Sequence, residues 1–369
     1  ISTTDGTWAG IPEPTLSYKW EVSSAGGDIG WGDAGGSPRT SPDYVIVSDD
    51  RDQWIRSKVT GTNEVPDSAD SVSASRRIES APEPDAGFLP IISGTVLVSN
   101  TITTTPGAWS GYPTPTYGYT WQVSGDNGST WNTASGNGAL TSSYTPIVAD
   151  GGKILRVRVV ASNSRGSGGP IYSLSTAAVA QAPGAPFVEP TISGSATRPT
   201  TLVASDGSAT GTPTPTTSRT WYRCPASQST ASSTLPSGCL STGSSAASYV
   251  PVDADNSKYI ILAVTYSNTY GSVTRYSAST SDIKVPPSCT TPIVSGTVRV
   301  SQTLTSNNPC SGTPTPTVTY QWQVSANGTT GWTSATGTGN ATSSYTVATA
   351  DAGNYLRVQV TATNSVSSV

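Results

Sequence analysis

Histidine and methionine are absent from this 369-residue chain, phenylalanine occurs twice, and only 11% of residues are charged. Without histidine there is no imidazole base and no Ser–His or Cys–His nucleophile pair, so hydrolytic chemistry would rest on carboxylates alone. The net charge of -4 is spread without blocks, which excludes the basic stripe that displaces counterions from nucleic acid phosphates. No stretch approaches the roughly eighteen consecutive apolar residues of a membrane-spanning helix. No window carries the i, i+3, i+4, i+7 stripe of an amphipathic helix. No signal peptide is visible at Ile1, where a mature or excised segment could begin.

What remains is rich in Gly, Pro, Ser and Thr, and its apolar residues are mainly Val, Ile, Tyr and Trp, which suit pleated, half-buried surfaces. The composition predicts an all-β chain.

A P-x-P-T cluster precedes a tryptophan by eight residues four times: Pro12 to Trp20, Pro113 to Trp121, Pro213 to Trp221 and Pro314 to Trp322. The tryptophans are 101, 100 and 101 residues apart, a period too long for one solenoid unit and suited to a small domain. A second ruler of nineteen residues links Tyr44 to Asn63, Tyr144 to Asn163, Tyr249 to Asn268 and Tyr345 to Asn364. Between Trp and Tyr the interval varies (24, 23, 28 and 23 residues), which predicts an exposed hairpin that tolerates insertion. Four domains are expected: 1–84, lacking its first strand, then 85–184, 185–286, and 287–369, truncated before its last strand. The proline-rich segments Ala81–Asp85, Ala182–Pro186 and Val285–Ser288 are expected as semi-rigid linkers of an elongated array.

Copy two predicts strands at Ile91–Thr95, Val98–Thr105, Tyr117–Val123, Ser143–Thr145 and near Ile171–Val179. Extended polyproline geometry is expected at Pro113–Thr116, and a hairpin at Asp126-Asn127-Gly128. In copy four Leu356, Val358, Val360 and Ala362 alternate with polar residues, as in a strand with one buried face. The repeated Trp20, Trp121, Trp221 and Trp322, with Tyr44, Tyr144, Tyr249 and Tyr345, are assigned to the structural core.

About seven short strands per copy, a core tryptophan on the third and a turn into the sixth resemble an immunoglobulin-like β-sandwich. Asp351-Ala352-Gly353-Asn354-Tyr355 resembles the D-x-G-x-Y tyrosine corner of that fold. The segments around Trp109 to Thr116, Tyr119 to Gln122 and Asp351 to Asn364 are similar to the tandem Ig-like repeats of large bacterial surface proteins. The resemblance covers essentially the whole chain. It implies four tandem sandwiches of about 100 residues each, with an extracellular or cell-surface location.

Four cysteines fall in the last two copies. Cys224 and Cys239 flank the enlarged hairpin of copy three. Cys289 opens copy four, and Cys310 stands where Trp8 and Trp109 stand earlier. Disulfides within each copy are the main expectation, with free buried thiols and a metal site as alternatives, and sequence alone does not settle the connectivity. Disulfides place the chain outside the cytosol. The recurrent Asp50, Asp150, Asp255 and Asp351 read as turn or cap residues rather than catalysts. Asp49, Asp50 and Asp52, or Asp253 and Asp255, are minor calcium candidates, but no metal site and no cofactor are assigned. Asn127, Asn327 and Asn340 open glycosylation sequons, though the first two also read as hairpin turns. Trp31, Trp131, Trp332, Tyr112 and Tyr117 are candidates for stacking on sugars, with core packing or hairpin support as the plainer reading.

These observations lead to a non-enzymatic subunit of an extracellular filament or surface fibre, self-associating and open to strand complementation between subunits. Two other readings stand beside it: an adhesin or carbohydrate-binding protein that uses the variable hairpins, with a surface glycan or protein as ligand, and a phage decoration or tail-fibre protein.

Overall fold

A computed structural model of the chain describes residues 1–64 and 67–369. It forms two compact units, Ile1–Gln181 and Ala182–Val369. Among the described residues there are strands and four single-turn 3-10 helices, and no α-helix.

In the first unit the second copy shows the pattern most fully. The Trp121 strand, Thr116–Ser124, pairs antiparallel with Ile154–Asn163 over an unbroken register from Thr116↔Ser162 to Ser124↔Ile154. Asn132–Thr133 and Gly166–Tyr172 flank this pair. The facing sheet holds Ile92–Ser93, Ile102–Thr104 and Ser143–Tyr144. Leu155, Val157, Val159 and Ala161 are fully buried, while Arg156 and Arg158 point away from the core. That alternation drives the fold, since each buried Leu or Val contributes roughly 1.5–3 kcal/mol. The strand expected from Val98 begins only at Ile102, because the chain turns at Ser99, whose φ is 68°. The hairpin at Asn127-Gly128 has positive φ at both residues, 56° and 92°, the requirement of a type I′ turn.

Copy one builds the same pair from Thr15–Ser23 and Trp54–Thr62, flanked by Gly32–Asp33 and Ser68–Val72. It is tied to copy two by Asp52, whose carboxylate accepts from Ser80 Oγ at 2.6 Å and from the Gly111 amide at 2.8 Å. Arg51 beside it pairs with Glu83 and donates to the Ala81 carbonyl.

In the second unit, copy three pairs Thr216–Cys224 with Tyr259–Asn268, and copy four pairs Thr317–Ser325 with Tyr355–Thr363.

The proline segments expected as linkers are strands. Ser80–Pro84 pairs with Trp109–Tyr112, Gln181–Val188 with Ser208–Thr212, and Val285–Cys289 with Cys310–Thr313. Proline survives there because an edge position leaves alternate amides facing away from the ladder. The P-x-P corners also differ from extended polyproline, since the peptides before Pro12, Pro113, Pro213 and Pro314 are cis.

Candidate functional site

The chemistry shared by all four copies lies at one buried assembly. Each repeated tryptophan stacks on its repeated tyrosine at centroid distances of 5.4, 5.5, 5.6 and 5.3 Å from copy one to copy four. The indole N–H donates to the carbonyl of Ser41, Thr141, Ala246 or Thr342 at 2.8–2.9 Å. The tyrosine hydroxyl donates to the aspartate six residues on: Tyr144 to Asp150 at 2.6 Å, Tyr249 to Asp255 and Tyr345 to Asp351 at 2.5 Å, and likewise Tyr44 to Asp50. The same carboxylate oxygen accepts the amides of Val47, Ile147, Val252 and Ala348, closing a 3-10 turn in each copy. In copies one, two and four, a glycine amide (Gly36, Gly136 or Gly337) donates to the tyrosine oxygen.

A polar relay thus runs from backbone amide through phenol to carboxylate inside each core. All four aspartates are buried. Burial, then the bond to the aspartate, holds the Tyr44 and Tyr345 phenols up at about 12 and raises Tyr144 and Tyr249 as well. The tyrosines stay neutral donors, and the carboxylates are occupied by protein groups. This arrangement braces a turn and offers no reactive oxygen to solvent.

Copy three reaches the same closure by another route. Its enlarged hairpin supplies no glycine amide, and Arg223 stands where Val22, Val123 and Val324 stand in the other copies. Arg223 Nε lies 2.8 Å from Asp255 Oδ1. Neither atom makes an aligned hydrogen bond, so the contact is ionic.

The repeated asparagine closes the opposite end. Asn163 Nδ2 donates to the carbonyls of Ser80 and Pro113, both at 2.8 Å. Asn364 does the same to Val285 at 2.9 Å and Pro314 at 3.0 Å. This side chain staples the opening strand to the proline corner, a role that spacing alone had not suggested. The tyrosine-corner reading of Asp351 to Tyr355 is corrected: Tyr355 is 60% exposed and the phenol on Asp351 belongs to Tyr345.

The remaining candidates are placed as follows. Cys224 is bonded to Cys239, and Cys289 to Cys310. Trp31, Trp131 and Trp332 each carry an arginine on one ring face, Arg56, Arg156 and Arg357, with the guanidinium 4.1–4.2 Å from the ring centroid. Arg77 covers Tyr112, and Tyr117 packs beside Trp109. One ring face is therefore already taken in four of the five aromatics proposed for sugar stacking. Asn127 sits in its turn, Asn327 Oδ1 accepts the Thr329 and Thr330 amides, and Asn340 Nδ2 donates inward to Ala335. Asp253 pairs with Arg198, Asp52 holds the junction, and Asp49 accepts from Ser48 Oγ, so the calcium candidates do not converge on one point. Among the described residues no three potential metal ligands cluster.

A cleft of about 690 Å³ opens on copy two. Phe88, Leu89, Ile91 and Leu174 form its rim, all 44–79% exposed, and it holds no charged side chain.

No family model and no curated protein matches the chain. Solved structures resemble it at low identity. The FN1–FN3 domains of chicken CNTN1 are 12% identical, covering 78% of this chain and 96% of that one with a TM-score of 0.30. Sidekick-1 immunoglobulin domains 1–4 are 15% identical over 99% and 89%, with a TM-score of 0.25. Extracellular domains 3–5 of Drosophila OTK are 15% identical over 79% and 97%, with a TM-score of 0.24. The chain's own strand pairing and its four stacked Trp–Tyr cores make it a tandem series of immunoglobulin-like β-sandwiches.

Proposed function

We propose that this chain is a non-enzymatic structural subunit of an extracellular filament or surface fibre, of the kind built from tandem Ig-like repeats in bacterial surface proteins. The observation that carries the reading is the fourfold recurrence of one scaffold closure. Every copy uses its buried tyrosine and aspartate to brace a turn, leaving those groups no catalytic task. Both cysteine pairs are disulfides, which supports a location outside a reducing cytosol. The proposed repeat boundaries fall just before Ser80, Gln181 and Val285, a few residues earlier than the proline spacing suggested, since those strands pair forward. Strand exchange is the proposed route to polymers: Ser68–Val72 lies at the edge of its sheet and is exposed along its length. Electron microscopy of native material tests the reading, which expects helical or linear polymers and is overturned by isolated monomers at high concentration.

One observation favours a second reading, adhesion. The uncharged cleft of copy two offers aliphatic and aromatic contacts, which suits a protein side chain better than a glycan. Binding to a protein ligand that is lost in Leu174→Asp, with a glycan screen left empty, would favour adhesion over the filament.

A further inference from the structure

Copy three differs from its neighbours on the outer face of its main sheet. In copy two that face carries Gln122, Arg156 and Trp131: Arg156 donates to Gln122 at 2.8 Å and covers Trp131. Copy four repeats the set with Gln323, Arg357 and Trp332. In copy three Tyr222 stands for the glutamine and Ile261 for the arginine, paired across the strands. Tyr276 on the next strand packs edge-on to Tyr222 at 6.4 Å.

An apolar outer face ought to be exposed, yet Ile261 is fully buried and Ala263 is 4% exposed. Burial along Tyr259–Asn268 is continuous from Ile260 to Val264, whereas Ile154–Asn163 alternates. Trp221, Ile260, Leu262 and Val264 form the interior core, so the cover over Ile261 and Ala263 lies on the other side.

The path of the enlarged hairpin identifies that cover. The sheet order is Leu240–Ser241, Thr216–Cys224, Tyr259–Asn268, Gly271–Tyr276. The chain leaves the second of these strands at Cys224 and reaches the far edge, where Ser232 and Tyr276 exchange two backbone hydrogen bonds of 2.9 Å. On the way Gln228 bonds to Ser277 and Ser279. The chain then returns to pair at the opposite edge from Leu240. The core fills the inner face, so this crossing and recrossing passes over the outer one. Leu235 and Pro236 are half-buried on the return. The Cys224–Cys239 bond ties the two ends together. The hairpin, most of whose residues are exposed as its variable length predicts, folds back along its own sheet.

We propose that the disulfide-closed loop 225–238 is an edge cap that shuts copy three against strand addition by a second copy of this chain. Exposed sheet edges present unpaired amides and carbonyls as templates for another strand, and an adjacent apolar face strengthens such pairing. Here Ser232 pairs with the end of the edge strand at Tyr276, and the path of the loop between the two edges places it on the side of the outer face. The other copies have no such loop and no such apolar face: each carries an arginine on its tryptophan instead. The occupant excluded is a second copy because Ser68–Val72 offers an exposed strand of the same chain. The inference does not depend on the filament reading.

The test compares the parent chain with Cys224→Ser/Cys239→Ser and, separately, with Ser232→Pro, which removes the amide that Ser232 donates to the Tyr276 carbonyl and leaves the Tyr276 amide on the Ser232 carbonyl as the single bond of the bridge, with the disulfide and core intact. At low concentration the Tyr276 amide is expected to lose protection from hydrogen exchange by roughly tenfold or more in both variants. On concentration the variants are expected to gain mass relative to the parent by sedimentation, and Tyr276 to regain protection as a second strand covers it. Unchanged exchange at Tyr276 in the two variants would overturn the proposal, as would parent-like mass at every concentration. If loss of the disulfide unfolds copy three, Ser232→Pro alone decides.

Discussion

Replacing Tyr144 with phenylalanine separates the two roles assigned to the repeated tyrosine. The ring, and with it the 5.5 Å stack on Trp121, is retained. Only the hydroxyl is lost, and it serves two partners: it donates to Asp150 Oδ2 at 2.6 Å and accepts from the Gly136 amide at 3.1 Å. Without it the buried Asp150 oxygen keeps one donor, the Ile147 amide at 2.9 Å. A hydrogen bond to a charged group contributes about 1.5–3 kcal/mol, and an orphaned buried amide adds about 1 kcal/mol or more. The expected destabilisation of copy two is therefore about 3 kcal/mol, of which ring packing accounts for none. Urea unfolding of the full chain, followed by hydrogen exchange in peptides covering Thr116–Ser124 and Ile154–Asn163, reads copy two selectively. Asp150→Ala should cost a similar amount, and the double variant little more, because the two groups act as one unit. A loss below about 0.5 kcal/mol in Tyr144→Phe, the range of surface substitutions, would refute the brace and leave the tyrosine as packing alone.

Four further outcomes follow from the same geometry. Arg223→Val should destabilise copy three by about 3 kcal/mol by leaving buried Asp255 without its cation, measurable as earlier urea unfolding of peptides spanning Tyr259–Asn268. Asn163→Ala should cost about 2 kcal/mol, chiefly through the lost bonds to the Ser80 and Pro113 carbonyls, the Arg165 amide that its Oδ1 also accepts being exposed to water, with exchange rising first in Ser80–Pro84. Cys289→Ser/Cys310→Ser should lower the stability of copy four by about 3 kcal/mol, seen as a lower urea midpoint for peptides containing Trp322. The raised phenols of Tyr44 and Tyr345 favour the neutral form in the fold, so their stabilisation is complete below the ordinary value of 10.0 and disappears as pH passes about 12. Spectroscopic titration should show these tyrosines ionising after the exposed ones, together with loss of fold.

The tandem period and the all-β character were legible because burial repeats faithfully at Trp20, Trp121, Trp221 and Trp322. The Tyr-to-Asp interval was equally visible, but the bond it encodes needs the 3-10 turn that returns the carboxylate under the ring, and no local pattern announces that turn. The D-x-G-x-Y motif misdirected attention to Tyr355 because a short motif states proximity in sequence, not which phenol enters the core. Proline-rich segments looked like linkers because proline weakens most strands, and edge pairing tolerates it. The hairpin of copy three is exposed along most of its length, as its variable length predicts, but the length gives no sign that it bonds back to the far edge of its own sheet. The corrective signal was present in Ile260 to Val264, an unbroken apolar run where the other copies alternate, which marks a strand covered on both faces.

Polymerisation of the native protein is the most direct test of the structural role, because every copy devotes its repeated buried groups to scaffold. Purified chain, concentrated under oxidising conditions and imaged by electron microscopy, is predicted to form regular filaments. Uniformly dispersed single molecules under those conditions would contradict the account.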